Sequence, residues 1–131
     1  MNRYVADTMA LVLRLEHRRL PTLVKETFIE SEKGRAKLLI LTMVLSEVAY
    51  LSEKRRIDIS LVEVEQYIRN NSLINEYPLT LQTIKVAFDI DDIPELHDRL
   101  MAASAKEANA VLITNDPVIE NSSHVKALWK K

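Results

Sequence analysis

Four acidic residues stand where an α/β chain can do chemistry. Asp7 follows the first apolar run in RYVAD, Glu47 lies in LTMVLSEV after a second, Asp98 opens the alanine-rich stretch HDRLMAASA, and Asp116 closes VLITND. In open α/β sheets the crevice forms outside the carboxyl ends of the strands, where the loops leave the sheet. Three strand exits that each carry an acid, with Asp98 near the N-terminal end of a helix, are placed to share one such crevice. An all-carboxylate cluster prefers hard cations with oxygen ligands, Mg²⁺ or Mn²⁺ held partly through water. Such ions activate water and stabilise charge in phosphoryl chemistry.

Each acid also has a plainer explanation. Asp7 is placed to cap its helix, Glu47 in a first turn would complement the helix dipole, Asp116 before Pro117 suits a turn, and Asp98 can be a solvated helix residue. The edge they share, and no one of them alone, carries the chemical reading. The run Asp89, Asp91, Asp92 and Glu95 is assigned to structure, since Asp92 and Glu95 are spaced like a capping box around Pro94. His17, His97 and His124 are scattered. On a helix His97 points roughly 100° away from Asp98, so the two are poorly placed to bind one ion.

Composition removes the main alternatives. Zero cysteines exclude disulfide frameworks, thiolate nucleophiles and cysteine-containing metal sites. One glycine in 131 residues excludes the phosphate-cradling loops of P-loop and dinucleotide-binding proteins, which need several. No serine-centred nucleophile elbow is present. Eighteen Lys and Arg against nineteen Asp and Glu leave a net charge of −1, so any nucleic-acid binding must rest on a local patch.

The elements that would position the acids are legible as short apolar runs alternating with helix-period segments. Strands are expected at Arg3–Ala6, Lys37–Val44, Ile74–Leu79, Ala110–Thr114 and Val125–Trp129. Helices are expected at Thr8–Arg18, Pro21–Lys33, Leu45–Arg56, Ser60–Asn70, Thr80 to about Phe88, and Glu95–Asn109. Gly34 reads as a helix stop. Strands apolar on both faces and separated by helices indicate a parallel sheet covered on both sides. The fold class is thus a three-layer α/β/α domain with a central parallel sheet of four to five strands, a single domain over residues 1–131. With 47% apolar residues it can bury a full core. The apolar stretch near the N-terminus, preceded by Asp7 and ended by Arg14, is too short to span a bilayer and lacks a cleavage site, so neither a signal peptide nor a membrane span is expected and a cytoplasmic protein is the default.

Taken in series, YVADTMAL, LILTMVLSEVAYL, ELHDRLMAASAKEANAVLITNDP and VKALW resemble the PIN-domain ribonucleases, in particular the VapC-type toxins of toxin–antitoxin pairs, over nearly the whole chain. The family's acidic motif falls on Asp7, Glu47, Asp98 and Asp116, and Thr114 matches the hydroxyl residue kept beside the metal. The resemblance implies a Mg²⁺- or Mn²⁺-dependent endoribonuclease in which the four acids hold the metal directly or through water and Thr114 orients an acid or that water. It also implies a homodimer and a cognate VapB-like antitoxin that obstructs the crevice, with the first two helices as candidate contact surfaces. Arg14, Arg18, Arg19, Lys54, Arg55 and Arg56 are candidates for a phosphate-contacting rim, although solvated helix faces account for most of them equally well. Alternatives are a PIN-type RNA-processing nuclease outside such a pair, a receiver-like domain, which would need paired acids after the first strand and a lysine not found here, and a non-catalytic binding module, which would predict a lost acid.

Overall fold

Short aliphatic runs become strands because they can be buried on both faces. A computed structural model describes residues 1–130 and contains five strands: β1 (Arg3–Ala6), β2 (Lys37–Leu41), β3 (Ile74–Tyr77), β4 (Val111–Ile113) and β5 (Ala127–Leu128). All pair in parallel in the order β3-β2-β1-β4-β5, with Val5 in register with Leu39 on one side and Leu112 on the other. Seven helices connect them among the described residues: α1 (Thr8–Leu15), α2 (Thr22–Glu32), α3 (Thr42–Glu53), α4 (Leu61–Arg69), α5 (Leu81–Ala87), α6 (Leu96–Glu107) and α7 (Pro117–Glu120).

The strand order decides where the site can be. The chain steps from β1 to β2 to β3 in one direction, then returns across the sheet to β4 and β5. Right-handed crossovers therefore place α1–α4 on one face and α5–α7 on the other, which gives the three layers. Crossovers diverge between β1 and β4, and that topological switch point opens a crevice at their carboxyl ends. Beneath it the core is dense: Val5, Leu38, Ile40, Leu112 and Ile113 in the strands, Leu11 and Phe28 on one side, and Ala102, Ala103 and Ala105 on the other are fully buried. The alanines of α6 bring that helix close to the sheet.

Several boundaries differ from expectation for identifiable reasons. The apolar run expected as a strand over Lys37–Val44 stops at Leu41, and α3 starts at once. Periodicity alone does not separate a buried strand from the buried first turn of a helix. Glu47 consequently lies in the second turn of α3, not the first. The α1 helix ends at Leu15 because His17 adopts φ +56°, and α3 ends at Glu53 ahead of Arg55 at φ +57°. Gly34 does follow α2 in the left-handed region, at φ +75°, as its stop role requires. The capping box lies at Ser60 and Glu63, whose carboxylate accepts from the Ser60 N–H at 3.1 Å. The expected pairing of Asp92 with Glu95 does not form: Glu95 is itself the N-cap of α6, accepting from the Asp98 N–H at 2.8 Å.

Candidate active site at the β1/β4 switch point

Asp7 is the first residue beyond β1, and its N–H donates to the Ile113 carbonyl at 3.0 Å, tying it to the end of β4. Its Oδ1 accepts from the Ala10 N–H at 2.7 Å, so it caps α1. The cap and the crevice acid are one residue; the hydrogen bond to Ala10 fixes how the carboxylate is presented. Burial pushes the Asp7 carboxyl above its ordinary range, and the negative charges of Glu47 and Asp116 push the same way. Hydrogen bonds from Ala10 and the Thr114 hydroxyl hold it back.

Thr114, at 2% exposure, joins the two acids that flank the switch point. Its oxygen accepts from the Asp116 N–H at 3.2 Å, which leaves its own proton for Asp7. Asp116 in turn caps α7: its Oδ1 accepts from the N–H groups of Val118 at 2.8 Å and Ile119 at 3.4 Å, with Pro117 in the first helical turn. Asp98 comes from the first turn of α6, and its carboxyl lies near enough to that of Asp116 for the two to interact. Partial burial, followed by the charges of Asp116 and Glu95, lifts Asp98 to about 6. Glu47 is exposed on α3 and accepts a hydrogen bond from the hydroxyl of Thr8, a nearly buried residue 39 positions away. Sequence reasoning passed over Thr8, since a hydroxyl next to a capping acid has no periodic signature.

All four acids therefore gather at one edge: Thr114 stands between Asp7 and Asp116, the charges of Glu47 and Asp116 bear on Asp7, and that of Asp116 bears on Asp98. Among the described residues none of the four forms an ion pair with Lys, Arg or His. Oxygen-only donors with uncompensated negative charge suit a hard divalent cation. The arrangement is open: no three of the four bring their oxygens all within 4.8 Å of one another.

A tighter group lies elsewhere. Asp91, Asp92 and His124 do approach within 4.8 Å. Here the polar groups are already matched. The Lys106 ammonium donates to His124 Nδ1 at 3.0 Å, so Nε2 carries the ring hydrogen and donates to Asp91 at 2.9 Å. Asp92 accepts from the Ser122 hydroxyl at 2.8 Å and the Ser123 N–H at 2.9 Å. These bonds tether the loop before α6 to the loop before β5. Lys106 is eight residues beyond Asp98 on α6, about 12 Å along the axis.

The basic residues considered for a phosphate rim lie away from the acids. Arg14 is locked in a two-pronged pair with Glu32 at 2.9 and 2.6 Å, and the Tyr67 hydroxyl donates to the same carboxylate at 2.6 Å. Lys54, Arg55 and Arg56 follow the C-terminal end of α3, whose length carries them about 18 Å from the start of that helix. Arg18 pairs with Glu16 at 3.4 Å, and Arg19 is exposed in the loop beyond α1.

Comparison with known proteins gives a consistent picture. The PIN domain pattern matches residues 4–123. Among curated proteins no sequence matches the chain. The structure is similar to the crystal structure of VapBC2 from Rickettsia felis bound to a DNA fragment from its promoter, with a TM-score of 0.74 at 16% identity and 98% of both chains covered. DNA-bound VapBC from Salmonella typhimurium gives a TM-score of 0.71, again at 16% identity over 98% of both chains. The PIN domain of RRP44 from T. brucei gives 0.55 at 14% identity, covering 98% of this chain and 76% of that one.

Proposed function

The chain belongs to the PIN domain family, and we propose that within it the protein is a Mg²⁺- or Mn²⁺-dependent endoribonuclease, the toxin of a toxin–antitoxin pair. One observation carries the reading: acids from four elements meet at the β1/β4 switch point without a cationic partner, and Asp98 is lifted to about 6 there. Asp7, Glu47, Asp98 and Asp116 would hold the metal, directly or through water. The bound ion would supply a water of lowered pKa and charge stabilisation at a phosphodiester.

The chain's own residues set the geometry around that chemistry. Backbone N–H groups of Ala10 and Val118 aim the carboxylates of Asp7 and Asp116, and Thr114 ties these two acids together. Thr8 restrains the exposed Glu47. Partial burial and the charge of Asp116 raise the Asp98 carboxyl to about 6 while no cation is bound. A VapB-like antitoxin, a homodimer and a cytoplasmic setting complete the proposal. The fold shared with the VapBC chains supports the toxin reading over an RNA-processing nuclease, and among the described residues no helix is long and apolar enough to cross a membrane.

Induced expression of the wild-type chain tests the proposal. Growth arrest relieved by a small co-expressed antitoxin, together with RNA cleavage by purified protein that EDTA stops and Mg²⁺ restores, is expected. Full cleavage in excess chelator overturns the metal role. Unimpaired growth with soluble protein present overturns the toxin role and leaves the processing nuclease.

A further inference from the structure

The chain has four tyrosines, and the fold uses three of them. The hydroxyls of Tyr67 and Tyr77 donate to Glu32 at 2.6 Å and to Glu107 at 2.9 Å, and the Tyr4 ring packs half-buried against the core. Tyr50 does none of this. It is 55% exposed, roughly 160° round α3 from the fully buried Val48. One turn further on, the Lys54 ammonium lies 5.5 Å from the centroid of its ring, within reach of cation–π attraction. One turn back stands Glu47, three residues earlier, at the spacing that brings helical Cβ atoms to about 5–6 Å. By helical rise, Tyr50 lies about 4.5 Å and Lys54 about 10.5 Å along the axis from Glu47. A crevice carboxylate, an exposed aromatic ring and a cation thus follow one another along α3.

We propose that Tyr50 is the platform on which an unpaired base of the RNA strand stacks beside the crevice, and that Lys54 takes a backbone phosphate next to that base. The inference rests on the nuclease reading and names residues that seat its substrate. Charge is the first argument. A molecule of net charge −1 with four acids at its site offers a polyanion little general attraction. Affinity for the strand must come from groups that do not depend on net charge. Stacking on an aromatic ring is such a group, and it accepts every base because every base has a π-face. Position is the second argument. The ring is one turn from Glu47, so a base resting on it belongs to a nucleotide close to the bond that the crevice would cut. The third is the pairing with Lys54. Its ammonium steadies the ring and keeps donors free for a phosphate, to which lysine binds as a compact point charge. Glu53, also exposed on α3, sets back the attraction of that single cation, so the ring carries the larger share of the affinity.

Binding of a short, labelled, single-stranded oligoribonucleotide of mixed sequence tests this, measured by fluorescence anisotropy with Ca²⁺ in place of Mg²⁺. Tyr50→Ala is expected to weaken binding about 10-fold to 100-fold, the usual loss for one stacked base. Tyr50→Phe should bind like the wild type, whereas Tyr50→Leu, with apolar bulk but no π-face, should be as weak as alanine. Lys54→Gln should weaken binding less and should lower the slope of log affinity against log salt by about 0.7, the single-strand value for one phosphate contact. Tyr50→Ala should leave that slope unchanged. A spectroscopic arm uses the single tryptophan of the chain: with Trp129→Phe, Tyr50→Trp should be quenched by the oligonucleotide as the indole stacks. Wild type that binds no RNA overturns both this inference and the nuclease reading. Wild type that binds RNA, with Tyr50→Ala binding equally well, overturns the inference alone and makes Tyr50 a protein contact. Tyr50→Leu that binds like tyrosine also overturns the stacking role.

Discussion

Two acidic groups in this molecule invite the same interpretation and differ in what surrounds them. Asp91, Asp92 and the half-buried His124 are close together and mutually satisfied: each carboxylate accepts hydrogen bonds from the opposite loop, and both ring nitrogens of His124 are engaged. At the β1/β4 edge, Asp7, Glu47, Asp98 and Asp116 are spaced more widely, and the ionisation of Asp7 and Asp98 is resisted by burial and by the negative charge of their acidic neighbours. Proximity alone therefore does not mark a site. A carboxylate matched to N–H and O–H donors has spent its acceptor capacity on the fold. Carboxylates such as Asp7 and Asp98, whose ionisation is opposed by burial and neighbouring charge, retain capacity for a cation, and perturbed titration of that kind concentrates at functional sites.

Substituting one residue in each group separates the two regions most sharply. Asp98→Asn is expected to lower RNA cleavage by on the order of 10³-fold, corresponding to the loss of about 4 kcal/mol of transition-state stabilisation. Its melting temperature in EDTA should be unchanged or higher, because the substitution removes repulsion with Asp116. A melting temperature well below wild type in EDTA would make Asp98 a structural acid. Mg²⁺ should stabilise the wild type through binding to the folded state, by about 2.7 kcal/mol at 100 times Kd. That increment should shrink in Asp98→Asn and persist in His124→Ala, as read by thermal denaturation with and without the ion.

A smaller effect is expected one step from the acids. Thr8→Val removes the hydroxyl that holds Glu47 and should reduce metal affinity or cleavage about 10-fold to 100-fold, the usual cost of losing a residue that orients a ligand. Thr8→Ser should keep most of that activity, whereas a purely volumetric role would leave the isosteric valine unimpaired and the smaller serine impaired.

The pH dependence of metal-free stability gives a quieter test. The folded pKa of Asp98, about 6, lies above the unfolded value near 4, so between these limits the native state binds more protons. Stability should fall as pH rises from about 4 to about 6 and then level off. In Asp98→Asn that part of the slope disappears, which urea titrations at fixed pH values measure. The smallest change belongs to the tether. His124→Ala should cost about 0.5–1.5 kcal/mol from its lost hydrogen bonds while leaving cleavage and Mg²⁺ stabilisation intact. Cleavage that falls with His124→Ala would erase the distinction between the two regions.

Elements whose signal is local were legible beforehand. Gly34 ends α2 because a left-handed residue is needed there, and Thr80 caps α5 through the Thr83 N–H at 3.3 Å. The strands announced themselves as aliphatic runs, and their parallel pairing followed from burial on both faces. Positions that depend on partners distant in sequence were misread or missed. Asp92 has the spacing of a capping residue, but Ser122 and Ser123 from a loop 30 residues away claim it. Glu47 shifts by a turn because the apolar run before it is divided between β2 and α3.

The types of the functional groups were settled by the chain alone: no thiol, no glycine-rich loop, and acids at the ends of apolar runs, which leave carboxylate chemistry at a sheet edge. Which acids meet was decided by topology. Asp7 and Asp116 are 109 positions apart and become neighbours because β1 and β4 pair in parallel, bringing their carboxyl ends side by side. Asp98 joins them from the opposite layer because the return crossover from β3 to β4 must be right-handed. Burial and mutual charge then set the state of these groups, and both depend on distances that arise only when the layers close. A carboxylate's environment is a sum over everything packed within a few ångströms of it, and sequence order does not carry that sum.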